Sequence, residues 1–413
     1  MPKGLQVHDM KCPRLRQDLQ LVPATAEGRQ VLLFVDPLQL AVSGLTVEME
    51  LLPLLQLLDG RHDLKDLQME IMRQQGGELV PLSDIESFIN NLDGNFLLES
   101  DFFREKFGTL FEEFAGQADR APFHAGRSYE AHPERLRMMI DETEERLVPP
   151  AGAGRDSTIT GILAPHIDIG VAKELYVDLY RRLRGRTYDL VIILGINHQG
   201  QNGLYSVSTK NYVTPFGKLE TDGGLIGRLK DLVPAGTLAT HDFGHKMEHS
   251  IEFQTLFLHH YLGGTTPVVP ILCGSIYEFL MTGADLFADA RFRGMVDALR
   301  LIMMERTSVL VVAGVDFSHV GLKFGDQLPA DVLIEKARAH DEKIITSLVE
   351  GAPETIFRDE LETEGRFNVC GIPAMLLLSS LLGKGSAEVL AHETYDEQVT
   401  QSAVTYAGMI FTG

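Results

Sequence analysis

Cysteine is scarce in this chain of 413 residues: there are three, Cys12, Cys273 and Cys370, and no CxxC pair. An odd count without paired spacing excludes a disulfide framework and fits a reducing compartment. The missing CxxC removes a zinc ribbon and a ferredoxin-type cluster from consideration. No GxxxxGK(S/T) loop cradles nucleotide phosphates, no GxSxG elbow presents a serine nucleophile, and no HEXXH helix offers a metalloprotease zinc site. Positive charge is also in deficit, with 37 Lys and Arg against 58 Asp and Glu, a formal charge of −21. A nucleic-acid footprint needs a basic surface, and docking on anionic lipid needs a basic patch, so neither partner is expected. No apolar run reaches the length of a membrane span. The opening residues MPKGLQVHDMKCPRLRQ carry no apolar signal-peptide core, which makes the cytoplasm the expected compartment.

What is present is a set of short apolar runs that end in ionisable residues. Val309–Val320 reads VLVVAGVDFSHV, a β-branched run closing on Asp316, Phe317, Ser318 and His319. Such a run reads as a strand covered on both faces. Ile159–Pro165 leads in the same way into His166 and Asp168, and Leu190–Leu194 into Gly195, Ile196, Asn197 and His198. Open α/β sheets place their ligand crevices at strand ends, so three strands each delivering a histidine suggest one cluster at one edge of a sheet. From Thr158 onward, helical stretches (173–183, 223–232, 251–262, 287–305, 332–350 and 372–382) alternate with apolar strands, the later ones at 268–272, 387–391 and 404–411. This is an α/β pattern with a mixed, mostly parallel sheet flanked by helices.

Length and composition suit two domains. Residues 1–110 stand apart, 111–121 read as a linker, and 122–413 carry the α/β pattern. In the first part, Val31–Asp36 reads as a strand and Thr46–Leu58 as a helical apolar face containing a proline. Leu64–Arg73 reads as a helix, and so does Ser83–Leu92, with Ser83 and Glu86 in capping-box spacing. Phe96–Leu98 reads as a returning strand. In the spacing of LLQLLDG, the central amphipathic helix and IESFINNLDGNFLLES, this part is similar to the peptide-binding winged-helix domain of pyrroloquinoline quinone biosynthesis. The resemblance implies a small N-terminal winged-helix-like domain that holds a peptide; a regulatory or dimerising module is the other reading. Pro149–Gly154 reads as a flexible loop.

Among the candidate residues, His166 follows a proline, which favours extended backbone, so the imidazole leaves the sheet free to bind a metal or move a proton. Asp168 is placed to orient it from outside. A hydrogen-bonded structural histidine is the competing account of His166 and of His198 alike. Asp316 and His319 are three apart and can point one way, although an aspartate there can equally cap a helix. His241, His245 and His249 are spaced four and four, but Gly244 interrupts a continuous helix. A helix starting near Ser250 leaves His249 at its N-terminus beside Glu248, where the dipole favours neutral imidazole. Cys370 precedes a helix with Pro373 in its first turn, a position that lends thiolate character, though a small buried residue is the usual fate of a free cysteine. Cys273 reads as core and Cys12 as incidental.

Eight segments in order, HAGRSY, LAPHI, ILGINH, VTPFGKLETD, EHSIEFQ, VPILCGS, VDFSHVG and VCGIP, resemble the Memo-like family, also called AmmeMemoRadiSam system protein B, from about Pro122 to Gly413. The resemblance implies a fold shared with class III extradiol dioxygenases. It implies a metal site of His166, His198 and Cys370, with Asp316 and His319 close by and His249 a further histidine of the pocket; in a redox enzyme His319, Asp316 and His249 are the catalytic candidates, and Asp168, Asn197 and Glu248 stand around them or against substrate. Iron(II) is the implied metal, with copper or zinc as alternatives, because a thiolate in place of a carboxylate ligand shifts preference toward softer or redox-active ions. A radical SAM protein and an AMMECR-type protein are the implied partners. The implied activity is metal-dependent redox chemistry on an unassigned substrate, with a non-catalytic metal- or peptide-binding scaffold and a zinc hydrolase as the other classes. Here the residues around His198 are Asn197 and Gln199 where the family often has a Ser-His-His ending, and Asp168 follows the APH segment.

Overall fold

The structure is a computed structural model that describes residues 11–149, 158–199 and 203–413, apart from 27, 37, 39, 43 and 75. The chain divides into two compact units, Met1–Gly116 and Gln117–Gly413. The loop read at 149–154 lies outside the described residues except for Pro149.

The first unit runs β1 (Gln20–Ala26), β2 (Arg29–Val35), β3 (Thr46–Glu48), α1 (Leu52–Gln56), α2 (Leu64–Gln74), α3 (Leu82–Gly94) and α4 (Asp101–Ala115). The sheet order is β1-β2-β3, all antiparallel. Leu64 and Leu67 of α2 and Ile85, Ile89 and Leu92 of α3 meet Leu32 and Phe34 of β2 in one core. Those helix positions are three or four apart, so each helix turns one stripe inward. Three local expectations change. Thr46–Glu48 is a strand rather than the start of a helix, because Pro53 sits in the first turn of α1 and a helix cannot run through it from upstream. Ser83 lies inside α3, whose cap position is Pro81, and makes no capping bond to the backbone. Phe96–Leu98 forms no strand, only an isolated bridge from Leu98 to Leu15. The sheet therefore precedes the helices. Cys12 belongs to this core and is 1% exposed, so it is structural rather than incidental.

The second unit continues β4 (Asp119–Arg120), α5 (Pro133–Arg146), β5 (Ile159–Ala164), α6 (Ile169–Arg181), β6 (Leu190–Ile196), β7 (Tyr205–Val207), β8 (Asn211–Thr214), β9 (Gly217–Leu219) and α7 (Gly223–Leu232). It then runs α8 (His249–Leu262), β10 (Val268–Cys273), α9 (Tyr277–Thr282), α10 (Ala290–Met304), β11 (Val309–Gly314), β12 (His319–Gly321), α11 (Ala330–Glu350), α12 (Pro353–Thr363), α13 (Ile372–Leu382), β13 (Ser386–Glu397) and β14 (Ser402–Thr412). One eight-stranded sheet has the order β12-β14-β5-β11-β6-β10-β7, with β13 also on β14. The central strands β5, β11, β6 and β10 are mutually parallel, while β14, β13, β12 and β7 join antiparallel. The sheet is mixed, parallel at its centre and antiparallel at its margins, and so less parallel than the alternation of strands and helices suggests.

Side chains alternate across this sheet. On β6, Leu190, Ile192 and Leu194 enter one core with α7, α10 and α13, while Val191 and Ile193 enter the other with α6 and α8. Both faces are covered by helices, which is why these strands read as continuous apolar runs. Helix α8 buries Ile251, Phe253, Leu256 and Phe257 together with the polar Ser250, Glu252, Gln254 and Thr255. Burial on every side holds its N-terminus in place at the carboxyl ends of the central strands. Among the described residues no helix is long and apolar enough to cross a membrane.

Candidate metal centre

The carboxyl ends of β5, β6 and β11 deliver His166, His198 and Asp316, and the N-terminus of α8 delivers His249. The three imidazoles form a near-equilateral triangle, with ring centroids 5.1 Å (His166–His198), 5.0 Å (His166–His249) and 5.0 Å (His198–His249) apart. One ring nitrogen from each can be chosen so that all three lie within 4.8 Å of one another. Cys370 Sγ joins them at 3.4 Å from His166 Nε2. The donor set thus has four members. His249 stands with the candidate ligands, a place beyond the proton-handling role that the sequence suggests for it.

Hydrogen bonds fix which nitrogen two of the rings turn inward. His166 Nδ1–H donates to Gly314 O at 3.0 Å, and a carbonyl can only accept, so Nε2 carries the lone pair. His198 Nδ1–H donates to both carboxylate oxygens of Glu248 at 3.0 Å, so its Nε2 is the nitrogen left for the centre. Glu248 lies 3.3 Å from His249 Nδ1 as well. It also accepts from the backbone N–H of His198 at 3.2 Å and of Ser250 at 3.0 Å, capping α8. One buried carboxylate therefore orients His198, lies against His249 and caps the helix that carries it. A carboxylate behind a histidine is the usual way proteins set tautomer and basicity at a metal.

Asp316 acts on backbone. Its Oδ1 accepts from His166 N–H at 2.9 Å and Ile167 N–H at 3.1 Å, and its Oδ2 sits 3.5 Å from His166 Nε2. Burial is the main influence on its acidity and pushes its pKa up to about 6. His319 Nδ1–H donates to Phe317 O at 3.0 Å, so Asp316 does not orient it by a direct bond. Burial lowers the pKa of His319 and, to about 3, that of His166. His249 is held well below the usual histidine range, again first by burial. His198 is the exception: burial opposes its charge, but Glu248 and then Cys370 outweigh it and raise the pKa.

The lowered pKa expected for Cys370 is reversed. Burial, with Asp316 adding to it, raises the thiol pKa against the downward pull of His198. The cause is position: Gly371 is the cap of α13, so Cys370 lies one residue outside the helix and in a desolvated place. Gly371 is required for closeness. A Cβ there would stand 2.5 Å from Asp316 O and 2.8 Å from Val315 Cβ. Gly195 plays the same part on β6, where a Cβ would meet Ser250 Oγ at 2.5 Å and Ile251 Cγ1 at 2.6 Å.

One further expectation changes. Asp168 caps α6 through Gly170 N–H at 2.8 Å and is exposed, so it stands outside the centre. His245 is fully buried, with Nε2–H donating to Ser206 O at 3.2 Å and Nδ1 2.8 Å from Tyr212 OH, so the four-and-four histidine series is no metal site. Asn197 lies 8% exposed beside His198, with its Oδ1 unpartnered among the described residues.

The residue that sequence reasoning missed is Arg120. It donates to His245 O at 2.9 Å and Glu248 O at 2.9 Å and is paired with Glu252, both side chains 1% exposed. Glu252 also accepts from Tyr129 OH at 2.5 Å and from the backbone N–H of Phe123 and His124 at 3.1 and 2.8 Å. This network fastens the start of α8, and with it Glu248 and His249. An arginine in an unremarkable stretch gives no spacing signal; only EHSIEFQ and HAGRSY, which hold its partners, stand out.

The family description "Memo-like protein" matches residues 120–410. The chain belongs to the Memo-like family. It is 32% identical over 367 residues to a MEMO1 family protein of Aquifex aeolicus, covering 88% of this chain and 91% of that one. That stretch is longer than the second unit, so part of the first unit is shared too. A MEMO1 family protein of Thermococcus kodakarensis is 29% identical over 309 residues, 71% of this chain and 99% of the other. One of Thermus thermophilus is 26% identical over 348 residues, 84% and 98% respectively. The Memo-like match contains every member of the donor set: His166, His198, His249 and Cys370.

Proposed function

We propose that the Memo-like unit binds one transition-metal ion and works as a metal-dependent redox enzyme on a small molecule. The observation that carries this reading is the convergence of three imidazoles, two of them held at Nδ1 by acceptors so that Nε2 is the nitrogen left for the centre, with a cysteine sulfur 3.4 Å from one of them. Nitrogen and sulfur donors suit iron or copper, with iron(II) the first choice. Bound there, such an ion supplies one-electron chemistry and open positions for exogenous ligands. The protein's part is to hold and move protons. Asp316, with its pKa pushed up to about 6, is suited to take or give a proton at Oδ2, and His319, whose charged form burial disfavours, readily passes on any proton it takes. Glu248 holds the donor geometry and does not titrate near neutrality, because His198 and His249 keep its pKa well below the usual range against burial.

A zinc hydrolase is the second reading, favoured by the three-histidine triangle, a donor set that zinc uses with an open fourth position. In the redox reading, the unit works with a radical SAM protein and an AMMECR-type protein, and the first unit holds a peptide; co-purification that retains neither partner nor peptide removes that part. The test of the centre is metal content by mass spectrometry on protein purified without oxygen, beside His166→Ala, His249→Ala and Cys370→Ala. About one iron or copper per chain, lost in the variants, is expected. Zinc in its place selects hydrolysis. No metal under any loading condition removes both readings and leaves a scaffold.

A further inference from the structure

A cleft of about 530 Å³ opens beside the donor set, with His198 and Cys370 in its wall. That size is in the range of small-molecule sites. Ile196, Ile276, Leu280, Val369 and Ile372 supply apolar wall. The end of α12 supplies two carboxylates, Glu360 and Glu364, four residues apart and so on one face of the helix. Glu360 is 3% exposed and bonded through Oε1 to His340 Nε2 at 2.6 Å. Its Oε2 accepts no hydrogen bond among the described residues. Unlike the Asn197 oxygen, which is sealed, Oε2 keeps accessible surface, and it lies 4.0 Å from where a Cβ on Gly365, another wall residue, would stand. A buried carboxylate oxygen without a partner is costly unless a donor or a cation meets it. Glu364 is exposed and makes no ion pair among the described residues. Arg366, the one arginine in the wall, is paired with neither glutamate. Both carboxylates stand at the C-terminal end of α12, the negative end of its dipole. Tyr277, 61% exposed, lines the same cleft, and its ring meets no other ring or cation among the described residues. An open aromatic face beside carboxylates suits an ammonium group.

We infer that this cleft binds an apolar primary amine in its ammonium form, with Glu360 Oε2 and Glu364 accepting from the ammonium, Tyr277 beside it, and the alkyl body on the apolar wall that includes His198 and Cys370 at its border. A neutral donor would satisfy Oε2 but leave the charge of Glu364 and the helix end unanswered. This names the substrate class for the reading above; it rests on that reading for turnover and on the cleft alone for binding.

The probes are isoamylamine, isoamyl alcohol and isocaproate, one branched apolar body carrying a cation, a neutral donor or an anion. Dissociation constants are measured by ligand-observed NMR or calorimetry near neutral pH on the full chain freed of metal by chelation, so that coordination of the amine by an ion contributes nothing. The amine is expected to bind about tenfold tighter than the alcohol, the worth of a charge-assisted hydrogen bond, and isocaproate more weakly than either. Glu360→Gln keeps an oxygen for His340 and sets an NH₂ in place of Oε2. The amine-to-alcohol ratio then falls toward one while alcohol binding holds, whereas a merely structural loss weakens both alike. Glu364→Gln and Tyr277→Leu lie at exposed positions and serve where the Glu360 variant does not fold; each lowers the ratio. Arg366→Gln removes a like charge and raises it. Equal binding of amine and alcohol by the parent protein, preference for isocaproate, a ratio unchanged in the folded glutamate variants, or no binding of any probe at millimolar concentration overturns the inference. Metal uptake by the same protein, read by mass spectrometry, separates the two readings. Preference for the amine without any metal uptake leaves the cleft and sinks the metal centre; one metal per chain without the preference does the reverse.

Discussion

Replacing Glu248 with Gln tests the centre at the group that builds it. The carboxylate is 1% exposed, and both oxygens accept from His198 Nδ1–H at 3.0 Å. Glutamine keeps one acceptor and adds two donors. Either the amide NH₂ faces Nδ1–H, which sets donor against donor, or the His198 proton moves to Nε2 and removes the lone pair aimed into the centre. The second contact, at 3.3 Å to His249 Nδ1, is weakened in the same stroke. Loss of a group behind a metal ligand costs about 10–100-fold in affinity, or about 1.4–2.7 kcal/mol. Two ligands share this group, which places the expectation at the upper end. The assay is competition against a chromophoric chelator, with circular dichroism confirming that α8 persists. Affinity within about twofold of the parent, in a folded variant, would falsify the claim that Glu248 sets the tautomer.

Other outcomes follow from the same geometry. Arg120→Met leaves Glu252 buried and uncompensated and is expected to destabilise the second unit by about 3–5 kcal/mol in urea denaturation, whereas an unchanged midpoint denies the pair its structural role. Gly371→Ala forces Asp316 or α13 to move, so metal affinity and melting temperature should both fall, by about 1–3 kcal/mol in stability; retention of both shows that the backbone relaxes freely. His245 has its pKa lowered by burial from 6.5 to about 4. It is neutral in both states above 6.5 and adds no pH dependence there. Below 6.5 the unfolded chain takes up the proton first, so stability drains away as pH falls toward 4, by about 3 kcal/mol in all. Metal-free His245→Gln should show a shallower loss over that window, and parallel curves for variant and parent refute the assignment.

The apolar runs at 159–165, 190–194 and 309–315 read as strands covered on two faces, and their order with the helices between them pointed to a helix-flanked sheet. That pattern also named the strand ends, and so His166, His198, Asp316 and His319, without any knowledge of the neighbours. Period and burial are local properties of a sequence, which is why they were readable. The caps were read less well. The Ser83 capping box did not form, because Pro81 had already set the turn.

The chain's own order could not say that β11 inserts between β5 and β6, or that the start of α8 and the turn before α13 close on the same point. Those depend on contacts between residues far apart in sequence: Glu252 with Arg120, Ser250 against Gly195, Asp316 against Gly371. Acidity was settled at that level too. A helix terminus suggested a reactive Cys370 thiol, but burial outweighed it, because desolvation acts on the whole surroundings of a group and a dipole on one side of it. The residue types and their places at element ends were therefore fixed by sequence alone. Which of them meet and which nitrogen faces inward were decided only when distant segments packed together.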